Sequence, residues 1–223
     1  MFLKIRRGRN LDVTIRGKLS DLIQRAAWVL AGGRSSRMGT DKALLEIEGQ
    51  PLVLRVADRL AEVCGSVAII GEGTLSNPGQ YANLGLRVVP DSFPGLGPLA
   101  GIEAALAATS AEANLIAACD MPSLDASALE ALFAAGGDCA VPRHADGRIE
   151  PLCAVYHRRI HARVRELLES GIRGVTEALR LLETGGFALR YVQVTARDTF
   201  ANLNTPEDLA RYRAEYSWEQ KRG

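Results

Sequence analysis

No stretch of this chain approaches the run of about 20 apolar residues that spans a bilayer, and the N-terminus has no signal-peptide core. A cytoplasmic protein with no membrane partner is the expectation. Neither sign of charge dominates, since 27 Lys and Arg stand against 26 Asp and Glu for a net charge of +1. A bulk nucleic-acid binder normally carries a basic excess over its whole domain, so nucleic acid is set aside as a partner and any basic site must be local. Cysteine is scarce: Cys64, Cys119, Cys139 and Cys153 form no CxxC pair and have no histidine at zinc spacing. Cys64 is expected to end a helix and the other three to fall in strands, all as buried small hydrophobes.

Two familiar phosphate loops are missing as well. The Walker pattern needs Gly-Lys-Ser/Thr at a helix start, but Gly39 is followed by Thr40 and Asp41, with Lys42 two residues late. The dinucleotide fingerprint GxGxxG is absent, and no Ser/His/Asp or Cys/His nucleophile is evident.

What remains is an ordinary globular composition, 47% hydrophobic and 24% charged over 223 residues, enough for one domain with a proper core. Residues 1–25 stand apart, with Lys4, Arg6, Arg7, Arg9, Arg16, Lys18 and Arg25 against Asp12 and Asp21. They read as a basic N-terminal extension, in which Val13 to Arg25 has the pattern of a short helix. Residues 26–223 read as a single domain.

From Ala26 onward strand and helix patterns alternate, the signature of an α/β sheet with crossover helices. Strands are expected at Ala26–Leu30, Val67–Ile70, Leu86–Val89, Asn114–Cys119, Cys139–Pro142, Leu152–Tyr156 and Phe187–Thr195. Helices are expected at Leu52–Val63, Leu99–Ala108, Ala126–Ala135, Ile160–Glu169 and Val175–Leu182. A last helix opens at Thr205, with Pro206 at its first position and Asp208 completing a capping box.

Three loops at strand ends carry the chemistry. In "VLAGGRSSRMGTDKALLEIEGQP", Gly32 and Gly33 let backbone N–H groups approach an anion. Ser35 and Ser36 add hydroxyls, and Arg34, Arg37 and Lys42 supply positive charge. At 4 Å and an effective dielectric of 20, each such charge pair gains about 4 kcal/mol before desolvation. In "DSFPGLGPLAG", Gly97, Ala100 and Gly101 permit close approach of a ligand or of a neighbouring strand. Asp91 either contacts a base or sugar or is an N-cap or loop carboxylate. In "NLIAACDMP", Asp120 ends a buried strand at the carboxyl edge, where open α/β sheets bind ligands. A lone acid there suits magnesium, which takes one or two carboxylates plus phosphate oxygens. Ser123 and Asp125 are better placed than Asp120 to cap the next helix. Together the loops imply a nucleoside triphosphate and an in-line displacement on phosphorus, which needs positioning and charge neutralisation rather than a nucleophilic triad.

"LAGGRSSRMGTDKALL" resembles the signature of the nucleotidyltransferases that include the molybdenum cofactor guanylyltransferases, and "GPLAG", "CDMP", "EPLCAVY" and "FANLNTPEDL" follow in the family's order. The resemblance implies a Rossmann-like nucleotidyltransferase fold, a mostly parallel sheet with helices on both faces. It also implies transfer of GMP from Mg·GTP to the terminal phosphate of molybdopterin, releasing pyrophosphate. On that resemblance Leu30, Ala31, Gly32 and Gly33 touch the nucleotide, Lys42 neutralises its phosphates and Asp91 contacts the guanosine. Asp120 binds Mg2+, and Lys42, Asp120 and Arg37 form the catalytic set. Asn202 and Asn204 fall near the acceptor or metal, or are turn-forming asparagines before a helix. Relatives that use CTP tend to read D-x-D-TPED at that motif, so the two asparagines resemble the guanylyl branch.

The chain also departs from the family. Some relatives carry an asparagine where this chain has Ile70 and Gly71, which removes one base contact. Arg143, His144, Arg148 and Arg173 either face an anionic acceptor or are solvated, and receive no role. Molybdenum-insertion or molybdoenzyme assembly proteins are implied as partners. A cytidylyl or other related nucleotidyltransferase, and a nucleotide-binding assembly chaperone without turnover, stay open as alternatives.

Overall fold

Arg25–Leu30 (β1) is apolar toward both sides. Ala26 and Trp28 face one helical layer, Ala27 and Val29 the other, and all four are at most 4% exposed. A strand buried on both faces is the hallmark of a sheet covered by crossover helices. The structure is a computed structural model that describes residues 24–31, 42–71, 81, 84–194 and 199–220. Gly32, Gly33, Arg37 and most of the basic segment therefore lie outside the described residues. So does most of the short helix expected over Val13 to Arg25, whose last residue belongs to β1 instead.

After a 3-10 turn at Lys42–Leu44 come a small hairpin, Glu46–Ile47 (β2) and Gln50–Pro51 (β3), and then helix Leu52–Ala61 (α1). Next are Ser66–Ile70 (β4), Arg87–Val89 (β5), Pro98–Ala108 (α2), Ala113–Ala118 (β6) and Ala126–Ala135 (α3). The chain continues through Cys139–Arg143 (β7), Cys153–His157 (β8), His161–Glu169 (α4), Val175–Thr184 (α5), Leu189–Gln193 (β9) and Pro206–Gln220 (α6). The sheet order is β5-β4-β1-β6-β8-β7-β9, with β8 alone running against its neighbours. Helices α2, α4 and α5 cover one face, and α1 and α3 the other. The expected mostly parallel sheet between two helical layers is what forms. Among the described residues no helix is long and apolar enough to cross a membrane.

Several boundaries move for local reasons. Helix α1 ends at Ala61 rather than Val63, and Val63 and Cys64 close the turn by donating to Leu60 O. Cys64 therefore lies past the helix, Cys119 lies just past β6, and Leu152 precedes β8. Ile160 sits in a 3-10 turn before α4, and β9 spans less than the expected Phe187 to Thr195. The β2–β3 hairpin is absent from the sequence reading; its turn, Glu48-Gly49, carries positive φ at both residues (51° and 74°), which matches strand twist.

All four cysteines are buried and none is in a disulfide. Burial pushes the Cys64 and Cys139 thiols up to about 12, and raises that of Cys153. In the native protein a disulfide reagent at pH 8 is therefore expected to label these three only as fast as the chain unfolds. Labelling that outpaces unfolding, followed by absorbance, would contradict their burial.

Candidate active site

Strands β4 and β5 extend the sheet on one side of β1, and the chain then returns to β6 on the other. The carboxyl ends of β1 and β6 thus flank the topological switch point, the usual ligand crevice of an open α/β sheet. Leu30 is in register with Ala118, and Cys119 N donates to Leu30 O at 3.1 Å. Asp120 follows two residues beyond the end of β6. It does not cap α3: Asp125 does, accepting from Ser127 N at 2.9 Å and Ala128 N at 3.1 Å. The Ser127 hydroxyl, with the Ala128 amide, holds the Asp125 carboxyl below its ordinary value.

Lys42 reaches the same crevice from the 3-10 turn, which Ala43 anchors in the core at 1% exposure. Its Nζ donates to Asp120 Oδ2 at 2.7 Å and to Asn204 Oδ1 at 2.9 Å. The Lys42 and Asp120 side chains are 15% and 17% exposed. Asp120 Oδ1 is buried and has no hydrogen-bond partner among the described residues. A buried carboxylate oxygen left without a donor costs free energy unless something positive meets it, so Asp120 fits a divalent cation. Among the described residues no group of three or more His, Cys, Asp or Glu side chains could hold a metal ion. Among those side chains a cation at Asp120 finds at most one further ligand, which leaves positions for phosphate oxygens and water.

The backbone at Asn204 is fixed by its neighbours. Leu203, 5% exposed, packs with Ile47, Leu52 and Leu209, and its N–H donates to Asp120 O at 2.9 Å. The capping box expected at α6 forms reciprocally. Asp208 N donates to Thr205 Oγ1 at 3.1 Å, while Asp208 Oδ2 accepts from Thr205 N at 3.0 Å and Asn204 N at 3.1 Å. Asn204 thus belongs to the Lys42–Asp120 cluster. Asn202 lies two residues earlier and is half-buried.

On the other side of the crevice Ala31 N donates to Ile70 O at 2.8 Å, so this amide is committed to the sheet. A Cβ at Gly71 would fall 2.3 Å from Ala31 O. A Cβ at Gly101, in α2, would sit 3.0 Å from Leu30 Cδ2, so this glycine lets the helix close on a neighbouring strand. Asp91 Oδ1 accepts from Phe93 N at 2.8 Å, an Asx turn that shapes the loop into α2.

The four side chains given no role all find partners within the protein. His144 and Arg148 both bond Glu150 Oε1, Arg143 lies over the Tyr191 ring with Cζ 3.8 Å from the centroid, and Arg173 donates to Leu168 O.

Residues 27–184 match the MobA-like NTP transferase domain family. A probable molybdenum cofactor guanylyltransferase of Pelotomaculum thermopropionicum is 38% identical over 196 residues, covering 86% of this chain and 93% of that one. The molybdenum cofactor guanylyltransferase of Rhodobacter capsulatus is 40% identical over 193 residues, covering 83% and 93%. Among solved structures, molybdopterin-guanine dinucleotide biosynthesis protein A of Archaeoglobus fulgidus superposes with a TM-score of 0.70 at 26% identity, covering 86% and 98%.

Proposed function

This chain belongs to the MobA-like NTP transferase family, and from that membership we propose that it is a molybdenum cofactor guanylyltransferase, moving GMP from GTP to the phosphate of molybdopterin. The observation that carries the reading to particular residues is the Lys42–Asp120–Asn204 cluster at the carboxyl ends of β1 and β6. A terminal phosphate oxygen of the acceptor attacks the α-phosphorus of GTP. The new P–O bond forms as the bond to the bridging oxygen of the β-phosphate breaks, and pyrophosphate leaves with that oxygen.

The chain's own groups do the positioning and neutralising. Lys42 carries charge to the phosphates, aided by Arg37 from the glycine-rich segment with Gly32 and Gly33. Leu30 and Ala31 form the floor of the nucleotide site, where Ala31 contributes shape rather than a donor because its N–H is engaged. The Asx turn of Asp91 sets the loop that meets the guanosine, and Asn202 faces the acceptor side. Asp120 would hold Mg2+, which when bound would supply charge neutralisation at the phosphates. All of this lies in the domain of residues 26–223.

The reading is tested by thermal unfolding with Mg2+ and each of GTP, CTP, ATP and UTP. A nucleotide at 100 times its Kd adds about 2.7 kcal/mol, roughly 5 to 10 °C in midpoint for a chain of this size. A shift selective for GTP is expected, followed by pyrophosphate release once acceptor is added. A shift selective for CTP would assign the chain to cytidylyl transfer, and tight GTP binding without pyrophosphate release to a binding protein.

A further inference from the structure

The Lys42 ammonium does not point into open solvent toward an incoming phosphate; it rests on Asp120 Oδ2 at 2.7 Å. The carboxylate assigned to the cation is therefore already neutralised by a charge that belongs to the protein. We propose that Lys42 is the resident counter-ion of Asp120, held there by Asn204, and that a divalent cation gains the carboxylate only in exchange for the ammonium, which moves to the nucleotide's phosphates. This rests on the reading of Asp120 as the cation-binding residue.

Three observations support the exchange. Among the described residues no group of three or more His, Cys, Asp or Glu side chains is present to hold a cation, and one of the two oxygens of Asp120 is taken by Lys42. A second cation brought to that carboxylate meets a fixed positive charge in contact with it, so free metal binds weakly. The other oxygen, Asp120 Oδ1, is buried and without a partner among the described residues, so the carboxylate keeps an acceptor to offer.

Finally, Asn204 has the chemistry of a holder. Its amide oxygen takes a hydrogen bond from Lys42 at 2.9 Å without adding negative charge, and its own backbone is fixed by Asp208 and by Leu203. It is a positioning residue acting through Lys42. A triphosphate supplies the negative charge that draws Lys42 off Asp120, so nucleotide and metal favour one another's binding, a coupling that is reciprocal by thermodynamic necessity.

The experiment is binding of Mn2+ alone to the full chain, with neither nucleotide nor acceptor, read as free Mn2+ by electron paramagnetic resonance. Lys42→Met is expected to bind Mn2+ at least tenfold more tightly than the unaltered protein, because it leaves an uncompensated, partly buried carboxylate. Asn204→Ala, which keeps the ammonium but releases it, is expected to tighten binding about threefold. The gain must vanish in Lys42→Met combined with Asp120→Asn. Equal or weaker Mn2+ binding by both single variants, each checked for an intact thermal transition, overturns the proposal, as does a gain that survives Asp120→Asn. Failure of guanylyl transfer would appear instead as a missing GTP-selective shift, which this measurement does not involve.

Discussion

Asp120→Asn is expected to lower the rate of pyrophosphate release from GTP and acceptor by about 10^3-fold, since the divalent cation that the carboxylate would hold supplies several kcal/mol of charge stabilisation at the transferred guanylyl group. The fold should survive the change. Leu203 N bonds the main-chain oxygen of Asp120, which asparagine keeps, and asparagine can still accept from Lys42. A thermal midpoint within a few degrees of the parent, combined with the activity loss, separates chemistry from collapse. A variant that kept more than a tenth of the rate would remove Asp120 from the catalytic set.

Gly71→Ala is expected to disrupt the other side of the crevice. The added methyl would lie 2.3 Å from Ala31 O and 3.6 Å from Tyr81 Cε2. Ala31 cannot simply retreat, because its N–H is bonded to Ile70 O and Gly71 N is bonded to Val89 O, which ties the ends of three strands together. Overpacking of this kind costs about 1 to 3 kcal/mol, roughly 2 to 10 °C in midpoint. The GTP-dependent shift should fall with it, as the ends of β1 and β4 spread. An unchanged midpoint and an unchanged GTP shift would mean that this strand end yields easily and takes no part in holding nucleotide. Ile70 is core, and Gly71 is pressed against a neighbouring strand end.

The large elements were legible because burial writes itself into composition. Strand β6 and helix α1 show as apolar runs or helical spacing bounded by turn residues, and the capping box of α6 is a local pattern whose partners lie within four residues. Asp120 was legible for the same reason, as an acid just after a buried strand. What escaped was tertiary. Lys42 and Asn204 are 162 residues apart, and nothing near either names the other, so the sequence puts Asn204 only near the acceptor or metal, or in a turn before a helix. Asp91 offered a base contact or a loop role, and its Asx turn is decided by the path of the backbone to Phe93. The β2–β3 hairpin is four strand residues long, too short for any periodicity. Strand direction leaves no mark on composition, so the reversal of β8 had to be seen.

That reversal has an evolutionary consequence. A parallel strand must be entered through a crossover that packs on the sheet, whereas β8 is entered from β7 by a surface connection that turns at the carboxyl edge and brings Leu152 O onto Ala118 N at 2.8 Å, two residues before Asp120. The rim beside Asp120 is therefore made by a connection whose middle residues, 145–148, are exposed, while its end, Ile149 and Leu152, packs on the core. Lengthening such a connection costs about 0.6 kcal/mol for each doubling. Descendants of this architecture can remodel what is admitted beside the nucleotide by insertion at one hairpin, while the sheet that holds Asp120 is inherited unchanged.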